Sequence, residues 1–219
     1  MHSIAARRER FDEGYYRRFY FDPRTRVISR RDFAQRARMI GALMQHLELP
    51  VRRILDAGCG LGWMRAPLLK AFPGAAYVGV EVSEHLCKRH GWIHGSLATF
   101  RTRTSFDLIV CHDVIQYLSE RDAARAIGNL GAMSRGALYF HAPTLEDWRS
   151  RADREASDSE VHLRPAEWYR TRLAKYFRHA GFGLYVRRGA PLMQWALESA
   201  EHVSTSDKAK KKRPGRAPA

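Results

Sequence analysis

ILDAGCGLGW, residues 54–63, decides the fold. An apolar pair, Ile54-Leu55, runs into Asp56, and Gly58, Gly60 and Gly62 follow before a helical pattern begins near residue 62. Glycines after a buried strand let the backbone turn sharply and approach a ligand closely. Such a loop at the carboxyl end of the first strand lies where open parallel sheets bind their ligands. The dinucleotide form, G-x-G-x-x-G, requires a third glycine at 63, where Trp63 stands. A carboxylate two residues before the first glycine would repel a pyrophosphate, so a nicotinamide dehydrogenase is excluded.

Working outward, the pattern alternates short apolar strands and helices. Strands are expected at 53–57, 76–81, 91–94, 106–112 and 136–142, with helices near 62–71, 84–90 and 119–133. Strands apolar on both faces and separated by helices predict a parallel sheet in right-handed βαβ units. Upstream, an aromatic helix is expected over 4–21, stopped by Asp22-Pro23. A second amphipathic helix over 30–47 carries Phe33, Ala37, Ile40, Met44 and Leu47. Downstream, 143–164 reads as an irregular polar excursion. A helix over 165–180, capped by Gly181, should precede a hairpin of Phe182–Arg188 with Leu192–Leu197.

Glu81 ends the second strand and suits both hydroxyls of a ribose. Ser96-Leu97 follow the third strand, and His112-Asp113 end the fourth. These strand ends project into one cleft. A ligand with an amino acid at one end, a ribose in the middle and a base at the other satisfies the set.

On DAGCGLGW, VGVEVS and FDLIVCHDVIQYL, the chain resembles class I S-adenosylmethionine-dependent methyltransferases of the small-molecule bacterial type, over about residues 50–197. The resemblance implies a doubly wound, mostly parallel seven-stranded α/β sheet with an antiparallel C-terminal strand, plus the N-terminal helical extension. It divides the chain into 1–49 as extension or lid, 50–202 as methyltransferase domain and 203–219 as disordered basic tail. It implies S-adenosylmethionine as cofactor and S-adenosylhomocysteine as product. Asp56, Gly58 and Gly60 would contact the methionine end, Glu81 the ribose, and Val82 the adenine. Ser96 and Leu97 stand where the family places an acid on the adenine amino group, and Ser96 departs from that pattern. His112 and Asp113 face the methyl group, and Tyr117 stands where many members carry His. His112 and His141 are the candidate bases, because imidazole titrates near neutral pH.

No [DN]-P-P-[YFW] motif and no Pro-Cys pair follows the fourth strand, which by resemblance argues against amide-nitrogen and pyrimidine carbon-5 acceptors. The expected acceptor is a small molecule. Two alternatives stay open: an RNA or protein methyltransferase that holds a polyanion with basic termini, and a non-catalytic module that keeps the fold. The net charge of +15 gathers at the two ends. Residues 1–31 hold nine Arg against four acids, and 203–219 hold six basic residues against Asp207. Weak nucleic-acid contact through the tail would follow from long-range attraction. Cys59, Cys87 and Cys111 are isolated, with no histidine at ligand spacing, so neither disulfides nor a metal are expected. Without a long apolar run or signal-peptide pattern, a cytoplasmic location is expected. Tyr15 and Tyr16 would either close over the cofactor or pack on the second helix.

Overall fold

The computed structural model describes residues 10–150, 152–153, 157–195 and 197–198. The basic tail and the first part of the 4–21 helix lie outside them. Near the start of the described residues, a short helix α1 (Glu13–Tyr16), capped by the Asp12 carboxylate, runs into a π-helical turn, Arg17–Phe21. Helix α2 (Arg30–His46) starts at a capping box in which Ser29 and Asp32 satisfy each other's backbone N–H. It buries Ala37, Ile40 and Met44.

The sheet then forms in the expected order: β1 (Arg53–Ala57), α3 (Arg65–Ala71), β2 (Ala76–Glu81), α4 (Glu84–His90), β3 (Ile93–His94), β4 (Phe106–His112), α5 (Glu120–Met133) and β5 (Ser134–His141). A short helix α6 (Leu145–Ser150) interrupts the excursion after β5. An isolated bridge from Thr144 to Arg164 pinches that excursion at its base. Helix α7 (Ala166–Leu173), β6 (Phe177–Gly181) and β7 (Leu184–Arg187) complete the fold. The seven strands lie in the order β3-β2-β1-β4-β5-β7-β6. The pairs from β3 across to β5 are parallel, and β7 is antiparallel to both neighbours.

Successive strand residues point to opposite faces, and both faces are covered. Ile54, Leu108, Val110, Ala137 and Tyr139 pack with Ile40, Met44 and Leu68 on one side. Leu55, Ile109, Cys111, Leu138 and Phe140 pack with Ile127, Leu130 and Leu173 on the other. This double covering explains why β4 is buried along its whole length. No helix among the described residues is long and apolar enough to cross a membrane.

The C-terminal hairpin differs from the sequence expectation. The last helix stops at Leu173, and Phe177–Gly181 is a strand. Tyr169, Leu173 and Phe177 keep helical spacing, but Phe177, Leu184 and Val186 are buried where the hairpin completes the sheet beyond β5. Gly181, expected as a helix cap, ends β6 with φ 104°, and Phe182 and Gly183 reverse the chain at φ 49° and 78°. The described residues of 192–197 form no strand.

Candidate functional site

A cavity of about 430 Å³ opens at the carboxyl ends of the parallel strands. Its floor is the loop after β1. The N–H groups of Gly58 and Cys59 both donate to the Val80 carbonyl, at 2.8 and 3.1 Å, which pulls the loop across β2. Gly58 has φ 83°, and a Cβ there would fall 2.3 Å from Val114. Gly60 also has positive φ (49°), yet a Cβ there would meet nothing within 4 Å. The first glycine is needed for packing and the second leaves open space.

Glu81, at the end of β2, faces this space. One carboxylate oxygen accepts from Gly60 N at 2.8 Å, and the other accepts from Val82 N and Ser83 N at 2.8 and 2.9 Å. Burial pushes its pKa up, opposed by those three N–H donors. A carboxylate offers about four acceptor positions, so at least one remains for a ligand. Val82, Ser96, Leu97 and Leu118 line the adjoining wall. Asn129 on α5 holds that wall from behind by donating to the carbonyls of Leu97 and Ala98.

The roof comes from the N-terminal segment. Phe11, Tyr15, Tyr16 and Tyr20 all line the cavity. The Phe11 carbonyl accepts from the Ser83 hydroxyl at 2.6 Å, and the Tyr15 and Tyr117 hydroxyls meet at 2.9 Å. Arg10 pairs with Asp158 of the excursion at 2.8 Å. Tyr15 and Tyr16 thus lie on the cavity side, and it is Tyr20 that packs on Phe33 of α2, at 6.3 Å.

Beyond the loop, the β4–β5 register places His112 beside His141. Their rings stack at 5.1 Å, and Phe33 packs edge-on to His112 at 5.5 Å. The His112 side chain is 4% exposed, and neither ring nitrogen makes a hydrogen bond. Burial lowers its pKa to about 4. Asp113 takes positive φ (55°), a conformation that is uncommon outside glycine. One of its oxygens lies 2.6 Å from His141 Nδ1 and the other 3.4 Å from His112 Nε2. Burial works to raise the Asp113 pKa, but the two imidazoles outweigh it and hold it at about 2. For His141, burial works downward and Asp113 outweighs it, so its pKa is raised.

A methyltransferase-domain family model matches residues 55–135, from within β1 to the start of β5. Over that stretch the chain is similar to methyltransferase domains. Among curated proteins it is 32% identical over 87 residues to malonyl-[acyl-carrier protein] O-methyltransferase of Legionella pneumophila, covering 35% of this chain and 31% of that one. It is 29% identical over 111 residues to magnesium-protoporphyrin O-methyltransferase of Synechocystis, covering 44% and 47%. The matches thus span about a third and about half of these relatives. Among solved structures, magnesium protoporphyrin IX methyltransferase from Synechocystis with bound S-adenosylmethionine superposes with TM-score 0.58 at 19% identity, covering 84% of this chain and 96% of that one. An O-methyltransferase family protein from Burkholderia thailandensis gives TM-score 0.54 at 15% identity, covering 72% and 57%. At these identities the structures show the fold alone.

Of the residues expected at the site, Gly58, Gly60, Glu81, Val82, Ser96, Leu97, His112 and Asp113 all line the cavity. Two predicted residues are not among its lining. Asp56 is buried behind the loop, where its carboxylate accepts from the Tyr77 hydroxyl of β2. His141 stands one strand further out and reaches the site through Asp113. The Ser96 hydroxyl accepts from Ala98 N at 3.3 Å, so it shapes its own turn. Sequence reasoning missed Phe11, Tyr20, Phe33 and Asn129 as site residues. Their only signal was aromatic spacing upstream, and for Asn129 a polar side chain on the apolar face of α5.

Proposed function

We propose that this chain is an S-adenosylmethionine-dependent methyltransferase acting on a small molecule. The observation that carries this reading is one cavity lined both by the buried Glu81 carboxylate with the apolar Val82 and Leu97 and by His112 and Asp113. Its volume falls within the range of small-molecule sites, and Phe11, Tyr15, Tyr16 and Tyr20 give it an aromatic lining.

The residues fit the cofactor. Glu81 has remaining acceptor capacity toward the cavity for ribose hydroxyls, the space over Gly60 is open for the methionine end, and Val82 with Leu97 offers an apolar slot for adenine. When bound, S-adenosylmethionine supplies a methyl group on a positively charged sulfur. The chain's contribution is chiefly alignment, which supplies much of the rate of such displacements. Trp63, against which Tyr20 and Phe33 each pack edge to face at 5.9 and 5.6 Å, would orient the acceptor together with those two rings. His112 and His141 would deal with its proton when it arrives as a hydroxyl or ammonium.

The test is calorimetric titration of the full chain with S-adenosylhomocysteine, repeated on Glu81→Gln. A hydrogen bond to a charged group contributes about 1.5–3 kcal/mol, so the variant should bind roughly 10–100-fold more weakly. No binding to the parent chain, or equal binding to both, would overturn the assignment.

A further inference from the structure

We propose that His112, Asp113 and His141 together bind one first-row transition-metal dication at the acceptor end of the cavity. One ligand atom from each residue lies within 4.8 Å of the others, close enough for modest side-chain movements to close them on an ion at about 2.0–2.2 Å. Two imidazoles and one carboxylate form a donor set that suits Zn²⁺, Fe²⁺ or Co²⁺ while leaving positions open. The second observation is His112 itself. An imidazole serving as a general base normally has its far nitrogen oriented by a hydrogen-bond partner. His112 has none at either nitrogen, although its side chain is 4% exposed. A buried polar group without a partner costs free energy, and coordination to an ion would satisfy it. Sequence spacing concealed the set, because 28 residues separate Asp113 from His141 and only the β4–β5 register joins them.

Arg36 sharpens what else the ion would hold. Its guanidinium donates to the Tyr139 hydroxyl at 2.8 Å, and the Tyr139 ring stacks on His112 at 6.4 Å. With Asp113 as the one carboxylate of the set and Arg36 close by, a dication leaves the site positive. An anionic oxygen completes both the coordination and the charge. The acceptor class is therefore a hydroxyl or acid able to present an ionised oxygen. The ion would promote loss of a hydroxyl proton to water. An oxygen lone pair would then form the bond to the methyl carbon as the methyl–sulfur pair departs with sulfur. This role rests on the methyltransferase reading, whereas the metal site itself does not.

The experiment uses untagged, chelator-treated full-length protein titrated with Co²⁺ and followed by visible absorption. Saturation at one equivalent with d–d bands is expected. His141→Ala and Asp113→Asn should each weaken binding by at least about tenfold, in line with the sensitivity of metal sites to their surroundings. Thermal unfolding and far-UV circular dichroism of each variant establish that the fold persists. His112→Ala is the confirming third variant, and the more exposed His141 carries the test if it does not fold. Absence of saturable Co²⁺ uptake, or uptake unchanged in both His141→Ala and Asp113→Asn, would sink the site. S-adenosylhomocysteine binding without Co²⁺ binding would overturn the metal proposal and leave the cofactor reading standing. The reverse pattern would support the metal site while removing the role given to it.

Discussion

Asp56 ends β1 with its carboxylate on the Tyr77 hydroxyl, and burial lifts its pKa to about 7 against the pull of that hydrogen bond. Between about pH 4 and pH 7 the folded state therefore holds a proton that the unfolded chain has lost. The stability present below that window is lost as pH rises through it. Asp56→Asn keeps an acceptor for Tyr77 and carries no charge, so it should flatten the decline in Tm across this range. Equal slopes in the two proteins would show that ionised Asp56 is not the origin. The sequence marked Asp56 as a ligand-facing acid from its place before the glycines. Its actual partner depends on Tyr77 lying on the neighbouring strand, which no local pattern reveals. Glu81 was easier to place, because an acid at the end of β2 comes out at the cavity whatever its partners.

At the level of elements, the glycine loop separates two effects that share one sequence signature. Gly58→Ala combines left-handed strain of about 1–2 kcal/mol with a methyl placed 2.3 Å from Val114. Overpacking adds roughly 1–3 kcal/mol. Gly60→Ala carries only the strain, since its methyl meets nothing. Denaturant unfolding should show the Gly58 variant destabilised by clearly more than the Gly60 variant, and similar losses would contradict the packing account. The bounds of β1, β2 and β4 were legible because turn chemistry brackets them and both their faces are apolar. β3 is shorter than expected because Gly91, at φ 72°, is the left-handed cap of α4. The C-terminal hairpin was illegible because Tyr169, Leu173 and Phe177 fit a helix as well as they fit a helix followed by a strand. What chose between them was the sheet beyond β5, which lies far away in sequence.

Across the whole molecule, the end of the sheet opposite the cavity is fastened by one side chain. Asp107 accepts from the N–H groups of Arg52 and Arg53 and from the Arg135 guanidinium, joining the starts of β1, β4 and β5. Burial opposes its ionisation, but these donors outweigh it and hold its pKa below the usual carboxylate range. Asp107→Ala should lower unfolding free energy by roughly 2–3 kcal/mol, measured with urea, while leaving S-adenosylhomocysteine affinity within about twofold. A large affinity loss with little change in stability would place Asp107 in the site.

The ion pair of Arg10 with Asp158 has a kinetic meaning. It ties the segment over the cavity to the excursion after β5, two stretches that lie 148 residues apart in the chain. If both must part before a spent cofactor can leave, they act as the leaves of a single door with one latch. The pace of turnover would then be set by how often that latch opens, however fast the chemistry beneath it runs.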